Sequence, residues 1–238
     1  ITFKRIEKIR NFYWRSSNIV SRNIKKANFP RLDTITSRVD IENDYSIKTI
    51  YAPELRKINN QFHIQSTSLQ ELLFPKLKEA AEVIIYNNNS LDTLNLSEFK
   101  RTTSTSIYDG IDINGNASLN NIVLTSLNNS SYLKIYNNDL VRIIKLDSLV
   151  NTNHYFRVSN NISLHKIKTP LLFETGNSGN RSTSFTIYEN DSLSIIEVNN
   201  LRKVYDQIYI RDNAMFDVSN NFPCEMYVFN NDSFDCSP

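Results

Sequence analysis

The sequence is poor in the residues from which compact catalytic and metal sites are commonly assembled: 4 glycines, 2 cysteines and 3 histidines in 238 residues. So little glycine leaves no glycine-rich phosphate loop, and no Ser/His/Asp order suggests nucleophilic catalysis. The cysteines form no CxxC, and no Cys/His cluster has metal-ligand spacing, so neither a metal site nor a cofactor is expected. No stretch approaches the roughly 18 apolar residues of a membrane helix, and no secretory h-region is visible at the start. Charge of one sign is lacking too: 27 Lys and Arg face 25 Asp and Glu. That balance, with no long run of either sign, argues against nucleic acid or a membrane surface as partner.

What is present is repetition. Hydrophobic residues make up 40% of the chain, enough for a packed interior, and they recur in one pattern. A short aliphatic-alternating strand is followed by one or more Asn, then Ser-Leu, then a second aliphatic three residues later, then Pro-x-Leu. VDIENDYSIKTIYAPEL (Val39 to Leu55), VIIYNNNSLDTLNLSEF (Val83 to Phe99) and FTIYENDSLSIIEVNNL (Phe185 to Leu201) are three copies. The hydrophobic residue after the turn falls at Ile24, Ile47, Leu69, Leu91, Leu119, Leu140, Leu164, Leu193, Phe216 and Phe234. Most steps are roughly 21 to 24 residues and two are longer by roughly six, the signature of a stacked solenoid. The chain reads as all-β, a single parallel β-solenoid of about ten coils over residues 1–238. Residues 1–20 would form an N-terminal cap, 21–222 the repeats and 223–238 a C-terminal cap.

Alternation places Val39/Ile41, Phe62/Ile64, Val83/Ile85, Ile111/Ile113, Leu133/Ile135, Phe156/Val158, Phe185/Ile187, Ile208/Ile210 and Met226/Val228 inward. A column of Asp44, Asn88, Asn116, Asn137, Asn161, Asn190, Asn213 and Asn231 falls at the turn. There an Asn can bond the backbone of its own coil and the next, and tolerates left-handed torsions. Pro53, Pro75 and Pro170 suit coil corners better than central strands. Residues 1–14, ITFKRIEKIRNFYW, read as a capping helix or an irregular strand, and the longer repeats carry polar loops at Arg101–Ser106 and Thr175–Ser184.

The outward positions carry the functional candidates. Tyr86, Tyr136 and Tyr188 share one column, and Tyr209, Tyr227 and Phe229 extend the surface towards the C-terminal end. Exposed aromatics on one face suit a protein contact or stacking on sugar rings, although Tyr is also simply a good strand former. Asp112, Lys134 and Arg157 lie on successive coils, either as a lyase-like base and clamp or as a cross-strand charge ladder. The three histidines, scattered over the repeat, read as solvated. Cys224 and Cys236 fall together in the terminal stretch, where a disulfide would close the last coil and imply an oxidising compartment; two free thiols are the alternative. Asn88, Asn95, Asn116, Asn128, Asn129, Asn161, Asn180, Asn190 and Asn231 all begin N-glycosylation sequons. Asn95, Asn128, Asn129 and Asn180, off the turn column, are the better candidates for carrying glycan.

The motif x-I-x-N-N-x-S-L-x-x-I-x-x-P-x-L, in Ile85 to Phe99 and Val158 to Leu172, resembles the repeat of receptor L-domains. These are relatives of leucine-rich repeats found in receptor ectodomains and GPI-anchored fungal cell-wall proteins. The resemblance implies a right-handed solenoid, secreted or at a cell surface, serving recognition, adhesion or envelope structure. Neither the cysteine-rich modules beside receptor L-domains nor a GPI tail lies within this stretch, and a start at Ile1 reads as a processed or partial product. The expected function is non-enzymatic binding of a protein or glycan, or of copies of itself in an end-to-end filament; polysaccharide processing is the enzymatic alternative.

Overall fold

A computed structural model describes residues 1–15, 24–176, 185–213 and 227–228. Within them the chain is all-β and winds into a parallel β-solenoid with three faces, of about eight turns where all three sheets run together. One turn shows the logic. Glu82–Tyr86 lies in the sheet of longest strands, Thr93–Asn95 in a second sheet and Arg101–Thr102 in a third. The chain then re-enters the first sheet at Ile111–Asn114, whose residues pair in parallel register with Val83–Tyr86. No helix is found among the described residues, and hence none long and apolar enough to cross a membrane.

Strand formation follows from side-chain alternation. In Gln61–Gln65 only Phe62 and Ile64 are fully buried. The same inward pair recurs in register from Val39/Ile41 to Ile208/Ile210, so β-branched and aromatic side chains stack coil on coil along the axis. Phe156 and Phe185 stack with ring centroids 5.1 Å apart. The second sheet contributes Ala27, Ile50, Leu72, Leu94, Ile122, Ile144, Ile167 and Ile196 to the core. The third sheet changes character along its length, its inward column passing from Ile35 and Ile58 through Ala80 to Thr102, Ser130, Thr152 and Thr175.

Two of the three corners in each coil carry a recurring hydrogen-bond pattern. At the proline corner the amide of Leu55 bonds the carbonyl of Ala52, and Leu77, Phe99, Leu127, Leu149, Leu172 and Leu201 repeat that link. Proline after the accepting residue supplies its fixed φ where its missing N–H costs nothing. At the polar corner two neighbouring positions divide the work. The first is left-handed: Asn43, Ser66, Asn87, Asn137, Asn160, Glu189 and Asp212 all have φ between 51° and 55°, and Gly115 has 65°. The second is the buried ladder residue. Asn116 Nδ2 donates to the carbonyls of Ile85 and Asn114 and to Asn138 Oδ1, and Asn116 Oδ1 accepts from the backbone N–H of Asn88. Every polar atom of the amide is thereby satisfied away from water.

This geometry corrects the expected ladder at one coil. Its member is Asn138, fully buried, and not Asn137, which is the exposed left-handed residue before it. The apolar position shifts with it, so that Val141 is buried and Leu140 is 49% exposed. The ladder otherwise runs Asp44, Asn88, Asn116, Asn161, Asn190 and Asn213, with Thr67 where one coil lacks Asn. From Thr67 onward its spacings of 21, 28, 22, 23, 29 and 23 residues contain the two long turns. Asn231, Phe216, Phe234, Cys224 and Cys236 lie outside the described residues.

The N-terminal segment is strand, not helix. Thr2 bridges Asn28, Lys8–Ile9 pairs with Thr34–Ile35, and Phe12–Arg15 pairs with Val39–Glu42, so residues 1–15 already contribute to all three sheets. Phe3, Phe12 and Trp14 pack on the end of the core.

Candidate functional site

The outer face of the long-strand sheet gathers aromatic and cationic side chains. Parallel register puts Asp112, Lys134 and Arg157 on adjacent strands in one column, and Tyr86, Asn114, Tyr136, Ser159 and Tyr188 in the next. Tyrosine therefore alternates with a small polar residue, leaving gaps two strands wide, about 9.5 Å. Arg157 fills one gap: its guanidinium carbon lies 5.3 Å from the Tyr136 ring centroid and 5.1 Å from that of Tyr188. It donates to the Tyr188 hydroxyl and, at 3.2 Å, to Ser159 Oγ. Among the described residues it is in no ion pair.

Lys134 is held in the same way. Its Nζ sits 4.7 Å from the ring of Tyr132 and 5.0 Å from that of Tyr155, and those rings stack at 5.0 Å. Both tyrosines lie one residue before their strands, which begin at Leu133 and Phe156, so the strand pattern alone does not include them. Arg211 adds a third cation, 4.9 Å from the Tyr209 ring and 6.0 Å from Tyr188. Lys134, Tyr155, Arg157, Tyr188, Tyr209 and Arg211 rim a shallow depression of about 490 Å³. A neighbouring depression, also about 490 Å³, lies between Tyr86 and Tyr136 over Asp112 and Asn114.

Burial perturbs the charges here. Desolvation raises the Asp112 carboxyl above its ordinary range, against the opposing hydrogen bond from Asn114 and the attraction of Lys134 and Arg157. Desolvation likewise lowers the Lys134 ammonium, and Asp112, 3.9 Å away, only partly offsets it. Burial also pushes the Tyr132, Tyr136 and Tyr155 phenols upward, so they stay neutral donors at ordinary pH. Lys134 and Arg157 thus rest largely on π-faces, an arrangement in which a cation can still meet an anion.

The expected tyrosine column holds for Tyr86, Tyr136 and Tyr188; Tyr209 lies on the same face, half-buried like them, but in the neighbouring column that continues Asp112, Lys134, Arg157 and Thr186. Tyr227 belongs to neither. Tyr227–Val228 pairs with Lys203–Val204 in the third sheet, not with the long strands of the first. Phe229, like Met226, lies outside the described residues, and β-pairing of Val228 in the third sheet removes it from the inward column of the first.

Another depression, of about 660 Å³, is on the third sheet beside Arg56, Lys100 and Arg101. There Glu79 bridges Lys57 at 2.7 Å and Arg101 at 3.1 Å, and these partners hold its carboxyl below the usual range. That surface carries a cross-strand charge ladder in which Arg56, Lys78, Lys100 and Arg101 outnumber Glu79, and it has no aromatic walls.

At the other end of the long-strand sheet, Asp40, Glu42 and His63 meet. Adjacent strands bring Asp40 and His63 into register although they are far apart in sequence, a juxtaposition spacing motifs do not detect. The histidines are accordingly not all solvated: His154 is 6% exposed, and the His63 side chain is 15% exposed between the two carboxylates. Of the sequon asparagines, Asn88, Asn116, Asn161 and Asn190 are buried with Nδ2 engaged, whereas Asn95 and Asn128 are exposed and Asn129 is half-exposed. Asn180 lies outside the described residues.

Comparison with known proteins finds no matching family model, no matching curated protein and no matching solved structure.

Proposed function

We propose that this chain is a non-enzymatic binding module that holds an anionic glycan on the outer face of its long-strand sheet. The observation that carries this reading is the placement of Lys134, Arg157 and Arg211 on the rings of Tyr132, Tyr155, Tyr136, Tyr188 and Tyr209. The half-buried phenols of Tyr136, Tyr155, Tyr188 and Tyr209 offer flat apolar area with little side-chain entropy to lose, which suits pyranose rings. The cations between them suit carboxylate or sulfate substituents. The resemblance of the repeat to receptor L-domains supports the same kind of role, recognition at a secreted or cell-surface location.

The test is binding of immobilised uronate-bearing and sulfated polysaccharides, with neutral polysaccharides as controls. Arg157→Ala and the double variant Tyr136→Ala/Tyr188→Ala each weaken binding by about tenfold or more, while circular dichroism stays unchanged. Equal binding of neutral and acidic chains, or unchanged binding by both variants, overturns the proposal.

One observation favours an enzymatic second reading: a partly buried Asp112 with a raised carboxyl pKa beside Lys134 with a lowered one, a pattern found at acid-base sites. In that reading Asp112 takes a proton from a uronate while Lys134 and Arg157 stabilise the developing charge. Release of unsaturated products from an acidic polysaccharide, abolished in Asp112→Asn, would establish it. Binding without turnover leaves the module reading in place.

A further inference from the structure

We propose that Asp40, Glu42 and His63 form a binding site for a divalent first-row transition metal ion, of which zinc is the working example. Arg15 lies on the strand before, Asp40 and Glu42 two residues apart on the next, and His63 on the strand after, so three successive coils converge. Each carboxylate is divided in its duties. Asp40 Oδ2 and Glu42 Oε2 face Arg15, which bonds the first directly and lies 3.4 Å from the second. The other two oxygens turn to the histidine: Nδ1 of His63 is 3.5 Å from Asp40 Oδ1 and 3.4 Å from Glu42 Oε1.

Those separations are long for hydrogen bonds to a ring nitrogen. They match the edge of a tetrahedron around zinc, about 3.4 Å for bonds of about 2.0 to 2.1 Å. One ligand atom from each residue lies within 4.8 Å of the others. A second observation points to the ion independently. Asp40 is 2% exposed, yet its Oδ1 has no hydrogen-bond partner, a costly state for a buried carboxylate oxygen unless something else satisfies it.

Arg15 need not leave for an ion to enter. It holds the far oxygens and thereby aims the near ones, as outer partners of metal ligands do. Two carboxylates and one imidazole suit zinc or manganese better than calcium, which takes oxygen ligands in larger number. His63 also borders the depression beside Gln65 and Tyr86, which gives a bound ion an open side for water or a ligand oxygen. The ion would clip the first coils of the long-strand sheet.

The test uses the full chain and cobalt(II) as an optical probe, with zinc as competitor and equilibrium dialysis for stoichiometry. The expected result is about one equivalent of cobalt, with visible d-d bands that zinc abolishes. His63→Gln and Glu42→Gln each weaken uptake by about tenfold or more, and zinc raises the melting temperature of the parent but not of His63→Gln. Asp40→Asn is the third variant; because Asp40 is buried, the two more accessible substitutions decide the matter if it fails to fold. No uptake by the parent overturns the proposal, as does uptake unchanged in both His63→Gln and Glu42→Gln. A sulfur-to-cobalt charge-transfer band would place the ion on Cys224 and Cys236 and overturn it equally.

Discussion

The indole Nε1 of Trp14 donates a 3.0 Å hydrogen bond to Oδ2 of Asp44, and this bond explains why the ladder begins on an acid. Further along, each Asn side chain must both accept a backbone N–H of the preceding coil and donate to a carbonyl of that coil. Asp44 meets only donors: its Oδ1 takes the backbone N–H groups of Ser46 at 2.6 Å and Ile47 at 2.9 Å, and the Ser46 hydroxyl at 2.7 Å. An amide there would turn its NH2 onto another donor. Asp44→Asn is therefore expected to cost about 1 to 3 kcal/mol in urea denaturation, although it matches the rest of the column.

The same site sets an acid dependence. Burial alone would raise the Asp44 carboxyl, but the hydrogen bonds from Ile47, Ser46 and Trp14 outweigh it and hold the group below its ordinary value. A carboxyl lowered in the folded state contributes stability above its unfolded-state pKa, near 4, and loses it as pH falls through the folded value. The stability gap between parent and Asp44→Asn should shrink as the solution is taken below about pH 4. A gap that widens on acidification would contradict this.

At the misaligned coil the two neighbouring asparagines should behave differently. Asn138→Ala strands the carbonyls of Ile113 and Tyr136 and the amide of Asn116 inside the body, and is expected to cost at least about 2 kcal/mol. Asn137→Gly keeps the left-handed torsion of 55° and should change stability by less than about 0.5 kcal/mol. Thermal melts of the two variants decide between the positions. The pair also shows where the sequence was legible. Period-two alternation identified the long strands, because their inward pairs are uniformly apolar and repeat in each coil. It did not separate Asn137 from Asn138, since both are Asn and the usual Ser-Leu after the ladder is replaced by Asp139-Leu140-Val141. Only burial distinguishes them. The candidate site was half legible: Tyr86, Tyr136 and Tyr188 sit within strands that obey the period, whereas Tyr132 and Tyr155 lie one residue before theirs and the Asp40–His63 pairing depends on register between coils.

Thr152 gives a prediction of opposite sign. Its hydroxyl is buried in the third-sheet column without a partner, so it was desolvated with no return. Thr152→Val removes that penalty while keeping the β-branched shape, and should stabilise by about 1 kcal/mol in chemical denaturation. A loss of stability would mean that the hydroxyl is satisfied in solution.

Burial also sorts the sequons. Expressed in a host that glycosylates Asn-x-Ser, the folded chain should carry glycan at Asn95, Asn128 or Asn129 and none at Asn88, Asn116, Asn161 or Asn190. The Nδ2 of each of these four is enclosed and already donating. Site mapping by enzymatic deglycosylation in heavy-oxygen water reads this directly. Occupancy at a ladder Asn would require that coil to open before it folds.

The last prediction joins the electrostatics to the proposed ligand. Asp112 is the carboxylate nearest Lys134, and desolvation makes it easier to protonate than an exposed aspartate. When it takes up a proton the face gains one unit of positive charge while Lys134 and Arg157 keep theirs. Binding of an acidic polysaccharide should therefore strengthen as pH falls through the raised Asp112 value, and Asp112→Asn should bind tightly with little pH dependence across that window. Stability follows the same sign. A carboxyl raised in the fold favours the folded state below its unfolded pKa and opposes it once ionised, so Asp112→Asn should be at least as stable as the parent at neutral pH. Binding that weakens on acidification in the parent, or that keeps its full pH dependence in Asp112→Asn, would show that another group governs the face. The polysaccharide's own carboxylates are excluded as that group by repeating the titration with a sulfated chain, which stays ionised throughout.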